Sequence, residues 1–274
     1  MATLCLNMIV RNEIANLERC LKSLSPHIDC WVIGDTGSTD GTQDFIKSFF
    51  AERGIPGELH EFPFINFEQA RNKALELAYA SSLKYYYILL CDADMELVVD
   101  NHDFARGLEA KSYSILQKSG VSYWNARLIR RDVVTQYRGV THEYLELADE
   151  PVRLTGVWYR DHASGANRGD KFERDIRLLT EAMKNEPDNH RYQFYLAQSL
   201  KDIGRPAEAS EAYAKRSKMG GWEEEAWYSH LQHARLLWVT GDEAGFVREA
   251  TKAYNRRPQR AEPLYDLARY YRQK

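Results

Sequence analysis

Tyr85-Tyr-Tyr-Ile-Leu-Leu-Cys-Asp-Ala-Asp94 is a run of seven apolar or aromatic residues closed by two carboxylates one residue apart. It is too short to span a membrane and suits a central strand. Successive residues of a strand point to opposite faces, so Asp92 and Asp94 share a face if the strand persists through them. Two carboxylates offered together at the end of a buried strand suit one hard cation.

Upstream of this run, strand-like and helix-like stretches alternate. Residues 4–10 read as a strand, 14–24 as a helix with Leu17, Leu21 and Leu24 on one face, and 30–33 as a second strand. The turn-rich Gly34-Asp-Thr-Gly-Ser-Thr-Asp-Gly41 follows, with Ser38 or Asp40 expected to cap a helix over 42–53. A third strand is expected over 57–62 and a helix over 66–80, before the Tyr85 strand. This alternation predicts an α/β fold with a mostly parallel sheet. Ligands of such sheets bind beyond the carboxyl ends of the strands. Arg11-Asn-Glu13, Asp35 to Gly41 and Asp92-Ala-Asp94 all fall there, on one shared rim.

Downstream the pattern changes. Residues 122–129 and 152–159 read as strands, and the polar, aromatic stretch from Tyr137 to Tyr144 reads as site-lining. Ser164-Gly-Ala-Asn-Arg-Gly-Asp170 reads as a linker, and everything beyond it as helical. Ala197 and Ala234 are each followed by a glycine seven residues on, Gly204 and Gly241, and Ala268 lies 34 residues after Ala234. These periods resemble tetratricopeptide repeats, in which small residues let paired helices approach closely. The interval from Ala197 to Ala234 is 37 residues, so one turn or loop is expected to be longer than standard. The next glycine would be residue 275, which predicts a chain truncated within a third repeat. Helical repeats also offer concave peptide-binding surfaces and dimer contacts.

Composition narrows the class. With 44% hydrophobic and 28% charged residues and a net charge of −3, the 274-residue chain reads as globular and cytoplasmic, with nothing that supports nucleic-acid binding. No signal peptide and no membrane span are expected. Cys5, Cys20, Cys30 and Cys91 show no CxxC pairing and are expected to be small buried thiols.

Four stretches carry a resemblance: Val10-Arg-Asn-Glu13, Gly34-Asp-Thr-Gly-Ser-Thr-Asp-Gly-Thr42, Asn66-Phe-Glu-Gln-Ala-Arg-Asn-Lys-Ala74 and Asp92-Ala-Asp94. In order and spacing, the sequence resembles the family 2 glycosyltransferases of the GT-A fold. The pattern is similar to that of lipopolysaccharide-core glucosyltransferases and of bacteriocin S-glycosyltransferases, which also carry a helical repeat domain. The resemblance implies a Rossmann-like nucleotide-sugar-binding domain over 1–165 and an all-α, tetratricopeptide-like domain over 171–274. It implies a metal-dependent, inverting transfer of a hexose from a nucleotide sugar, UDP-hexose above all, to a peptide, protein or glycan.

Residue by residue, the resemblance implies Asp94 as metal ligand, with Asp92 toward the ribose or the metal through water and Ala93 between them. His162 matches a further ligand; an imidazole favours manganese, with magnesium the other choice. Val10, Arg11, Asn12 and Glu13 would line the donor site. Asp35 would receive the pyrimidine, its acceptor oxygens suiting a uracil imide. Arg71 would hold phosphate oxygens in its fork, Asn72 would fix that loop, and Lys171 and Arg174 would close over the diphosphate. Glu143 is the implied base, with His142 tuning it or itself taking the proton.

Each residue also has a plainer reading: a turn for Asp35, solvated charges for Arg71, Lys171 and Arg174, a surface histidine for His162, a salt bridge for Glu143. Asp40 is expected to be a cap. Other nucleotide and cation motifs fail. The glycine loop has no P-loop lysine, the Gly34, Gly37, Gly41 spacing breaks the dinucleotide fingerprint, and Leu97 stands where an EF-hand needs glycine. The remaining alternative is a catalytically degenerate domain that serves, with the repeats, as a peptide-binding scaffold.

Overall fold

β1 (Leu4–Val10) is buried along nearly all of its length, and the reason is its place in the sheet. The computed structural model describes residues 3–165 and 171–274, which divide into two units, Met1–Gly169 and Asp170–Lys274. Most of the expected linker, 166–170, lies outside the described residues.

In the first unit, β1 is followed by α1 (Ile14–Leu24), β2 (Cys30–Asp35), α2 (Thr42–Glu52), β3 (Gly57–Glu61), α3 (Phe67–Ala80) and β4 (Tyr87–Leu90). The four strands run parallel, in the order β3-β2-β1-β4. Alternate residues of β1 serve opposite cores, as the strand period requires. Leu4, Leu6 and Met8 pack with Leu17 and Leu21 of α1 and Phe50 of α2. Cys5 packs with Val32, Ile88 and the α3 residues Leu75 and Ala78. Asn7, buried among them, donates from Nδ2 to the carbonyls of Val32 and Ala74, both at 2.9 Å, and so ties β1 to α3.

The strand that begins at Tyr87 stops at Leu90, short of the two aspartates. Asp92 to Met95 instead form a turn, in which the Met95 N–H donates to the Asp92 carbonyl at 3.0 Å. Strand alternation therefore does not put Asp92 and Asp94 on one face.

Beyond the turn come β5 (Met95–Val99), β6 (Ser112–Lys118), β7 (Ser122–Arg130), β8 (Gln136–Arg138), β9 (Tyr144–Glu146) and β10 (Val152–Asp161). They extend the sheet to eight strands, β3-β2-β1-β4-β7-β6-β10-β5, while β8 and β9 pair by themselves. The added pairings β4–β7, β6–β7 and β5–β10 are antiparallel, so the sheet is mixed where a mostly parallel one was expected.

The β6–β7 hairpin has two features that matter for the rim. Only residues 128–130 of β7 pair with β4; residues 122–126 pair with β6 and run on past the end of β4. The register also slips: Leu128 faces Tyr113 but Ala126 faces Ser114, leaving Arg127 as the extra residue of a β-bulge.

The four cysteines are buried and free, and the Cys20 and Cys91 sulfurs lie 3.9 Å apart.

The second unit is all helical: α4 (Lys171–Asn185), α5 (His190–Asp202), α6 (Pro206–Arg216), α7 (Glu223–Val239), α8 (Glu243–Arg256) and α9 (Glu262–Arg272), each packed on the next. Ala197 and Ala234 are fully buried, as close helix approach requires. The glycines of the same pattern have another cause. Gly204 and Gly241 have φ of +81° and +88°, and an added Cβ would meet nothing within 4 Å. They end α5 and α7 in left-handed caps: the Gly204 and Arg205 N–H groups donate to Lys201 and Leu200, and those of Gly241 and Asp242 to Trp238 and Leu237. The longer interval lies partly in α7, which has 17 residues against 13 in α5. Buried Arg216 holds the connection before α7, donating to the carbonyls of Met219, Gly220 and Trp222 and to Glu225. Trp227 is buried, Trp238 stacks on Phe246, and Trp222 is exposed. Among the described residues no helix is long and apolar enough to cross a membrane.

Candidate active site

β2, β1 and β4 are neighbours and parallel, so Asp35, Val10 and the turn after Leu90 reach the same edge of the sheet. The loops after β1 and β2 are laced together. The Val10 carbonyl accepts from the Thr36 N–H and hydroxyl, at 2.9 and 3.2 Å. Asn12, in the left-handed region at φ +55°, donates its N–H to the Ser38 hydroxyl and accepts the Thr39 N–H, at 2.9 and 2.8 Å. Glu13 donates its N–H to the Thr42 hydroxyl, and its carbonyl accepts the Asn16 and Leu17 N–H groups of α1. Arg11 stands exposed in the same turn. The capping expectation holds for Asp40 and not for Ser38: Gly41, at φ +94°, holds the cap position of α2 and Ser38 is spent on Asn12, while Asp40 accepts the first N–H of α2, from Thr42, and that of α1, from Ile14.

Asp35 is fully buried. Its Oδ1 accepts from the Gly37 and Ser38 N–H groups, both at 2.8 Å, and from Gln43 at 3.1 Å. Its Oδ2 is buried without a hydrogen-bond partner. A buried, unpaired carboxylate oxygen is costly, and a ligand N–H would satisfy it.

The Asp92 carboxylate sits between two guanidinium groups. Arg71 of α3 donates from Nη2 to Oδ1 at 2.6 Å, and Arg127 of the bulge donates to Oδ2 at 2.9 Å. Arg71 also donates from Nε to Glu143 Oε1 at 2.5 Å, and Arg127 from Nε to Gln117 at 3.3 Å. The result is a chain of alternating charge, Glu143–Arg71–Asp92–Arg127. Burial by itself would raise the Asp92 pKa, but the charges of Arg71 and Arg127 hold the carboxyl well below the usual range. Burial likewise opposes the charge on Arg71, and Asp92 and Glu143 overcome it.

α3 also positions the segment that carries Glu143. Asn72 clasps the Tyr137 backbone from both sides, at 2.9 and 2.6 Å, and Glu68 accepts the Gly139 N–H at 2.6 Å. His142 follows at φ +51°, a left-handed conformation that a non-glycine residue holds only under constraint.

Asp94 and His162 meet through the backbone: the His162 N–H donates to the Asp94 carbonyl at 3.2 Å, and Gly165 donates to Asp94 Oδ2 at 3.0 Å. The His162 ring itself pairs with Glu96, Nε2 to Oε2 at 2.9 Å. Ala93 is buried between the aspartates. Asp94 and His162 supply a carboxylate and an imidazole, donors of the kind a divalent cation takes, on backbone-bonded neighbours, with the His162 ring engaged by Glu96. Asp92 offers no such donor, because both its oxygens are taken by guanidinium groups. Among the described residues no group of three or more potential ligands is assembled.

Lys171 and Arg174 stand in the first turn of α4 in the second unit, Arg174 beside buried Asp175 at 3.5 Å.

Arg127 and Tyr123 escaped the sequence reading. A charge inside the apolar run of 122–129 was the available signal, since such a charge needs a buried partner. Partial burial pushes the Tyr123 phenol up and the charge of Arg127 opposes it; Tyr123 pairs across the ladder with Gln117, which accepts from Arg127.

Comparison with known proteins finds a family match and several relatives. Residues 5–102 match the model of the glycosyl transferase family 2. The SPbeta prophage-derived glycosyltransferase SunS of Bacillus subtilis is 28% identical over 238 residues, which cover 78% of this chain and 53% of SunS. A TPR repeat-containing protein of Synechococcus elongatus is 31% identical over 155 residues, covering 53% of this chain and 36% of that one. The chain thus spans about half the length of SunS. Among solved structures, S. aureus TarS in complex with UDP aligns over 93% of this chain and 92% of its own, at 12% identity and a TM-score of 0.45.

Proposed function

We propose that the family 2 glycosyltransferase domain marked by residues 5–102 makes this chain a hexosyltransferase, moving a sugar from a UDP donor to a peptide, protein or glycan with inversion. The observation that carries the reading is the buried, unpartnered Oδ2 of Asp35 at the end of β2. It suits the imide N–H of uracil, which cytosine lacks. A nucleotide-sugar donor supports a cytoplasmic reaction.

In this reading the guanidinium of Arg71 turns from the carboxylates it holds toward the arriving diphosphate. Arg127 keeps Asp92 oriented meanwhile. A divalent metal held by Asp94 and His162, manganese by the donor set or magnesium, would supply Lewis-acid compensation for charge on the leaving diphosphate. Glu143 accepts the proton of the acceptor as its oxygen or sulfur attacks the anomeric carbon; the bond from that carbon to the phosphate oxygen breaks, and UDP departs with the electron pair. His142, held next to it, would orient the acceptor or take the proton in its place.

Isothermal titration of the full chain with UDP and manganese tests the donor reading. Heat is expected from the unaltered chain and at least about tenfold weaker binding from Asp35→Asn, whose amide would point a donor at a donor. No heat from a folded chain would favour the scaffold alternative. Turnover, read as donor hydrolysis over UDP and GDP sugars, is expected to fall at least about a hundredfold in Asp94→Ala and Glu143→Gln. Wild-type turnover in both would end the assignment of those roles.

A further inference from the structure

We infer that Tyr123 is a donor-specificity residue, its ring forming the wall on which the transferred hexose stacks; this rests on the nucleotide-sugar reading above. Tyr123 lies on the part of β7 that runs past the end of β4, so it overhangs the rim. Across the sheet it stands in register with Gln117, then Tyr159, then Leu97. Those three are at most 5% exposed, whereas Tyr123 is 44% exposed. Gln117 accepts from Arg127, so this row borders the charge chain around Asp92.

Strand order gives the direction. Asp35 ends β2, Asp92 follows β4, and Tyr123 rides on β7, in the neighbouring sequence β2-β1-β4-β7. That is three strand spacings, about 14 Å, along which base, diphosphate and sugar can lie in order. A pyranose has one apolar C–H face and a rim of hydroxyls. An exposed aromatic ring on the row beside Arg127 and Asp92 offers a surface for the first, and its hydroxyl a partner for the second.

The test compares Tyr123→Ala and Tyr123→Phe with the unaltered full chain, titrated with UDP and with UDP-glucose, UDP-galactose and UDP-N-acetylglucosamine in manganese. In Tyr123→Ala the best-bound UDP-sugar is expected to weaken roughly five- to tenfold while UDP changes less than about twofold; Tyr123→Phe, which keeps the ring, should stay within about threefold. An unchanged ratio of UDP-sugar to UDP affinity in Tyr123→Ala overturns the inference. Equal weakening of UDP and UDP-sugar overturns it too, since that marks a structural residue. If the unaltered chain binds neither, the transferase reading itself falls, a separate failure that removes this one's premise.

Discussion

A guanidinium inside a sheet needs a counter-charge within reach, and Arg127 reaches Asp92 because a bulge turns it out of the ladder. Removing Arg127 strips Asp92 Oδ2 of its partner, while Arg71 still holds Oδ1. Arg127→Met, which keeps the aliphatic stem but not the guanidinium, is therefore expected to lower stability by about 3 kcal/mol at neutral pH, measured by denaturant unfolding. The sign of its pH dependence follows from Asp92. Its folded-state pKa lies below the ordinary aspartate value of about 3.9, so the pair's contribution is present above that value and is lost as pH falls further. The penalty of Arg127→Met should shrink once the pH drops below about 4; a penalty constant down to acid unfolding would deny the pairing. Asp35, Arg71, Asp92 and Glu143 were all legible as a rim or through resemblance. Arg127 was not, because a one-residue slip of register leaves no trace in a hydrophobic pattern.

At the level of elements, periodicity gave starts and ends well wherever a chemical stop stood beside them. Asn66 caps α3 as its side chain predicts, accepting the Gln69 N–H at 2.8 Å. Apolar residues could not say where β4 ends, since Cys91 continues the run but leaves the ladder to enter the turn at Asp92. β6 went unseen because its Ser-Tyr-Ser-Ile-Leu-Gln-Lys pattern is buried on both faces and so does not alternate. The repeat glycines show a pattern correctly found and wrongly explained: their freedom of φ matters, not their size. Gly204→Ala and Gly241→Ala are each expected to cost about 1 kcal/mol despite open space around them, since a Cβ disfavours positive φ. Thermal unfolding of the two variants checks this, and no loss in either would refute the capping argument.

For the molecule as a whole, alternating strands and helices give way to helices alone, whereas the joining of β7, β6, β10 and β5 to the parallel half depends on long-range pairing. The apolar clusters keep to one unit each, with Leu6, Met8 and Leu89 in one set and Phe194, Tyr213 and Leu236 in another. The sulfur atoms follow the same division: all four thiols belong to the first unit, and the helical unit has none. Its hydrogen bond to Cys91 and its burial push the Cys20 thiol up, which keeps it out of the reactive thiolate form. Alkylation by a small thiol reagent is thus a clock for opening of the first unit. UDP with manganese is expected to slow that clock, read as mass added over time, because Cys91 adjoins Asp92 and binding resists opening there. Labelling as fast with UDP as without it would place the ligand elsewhere.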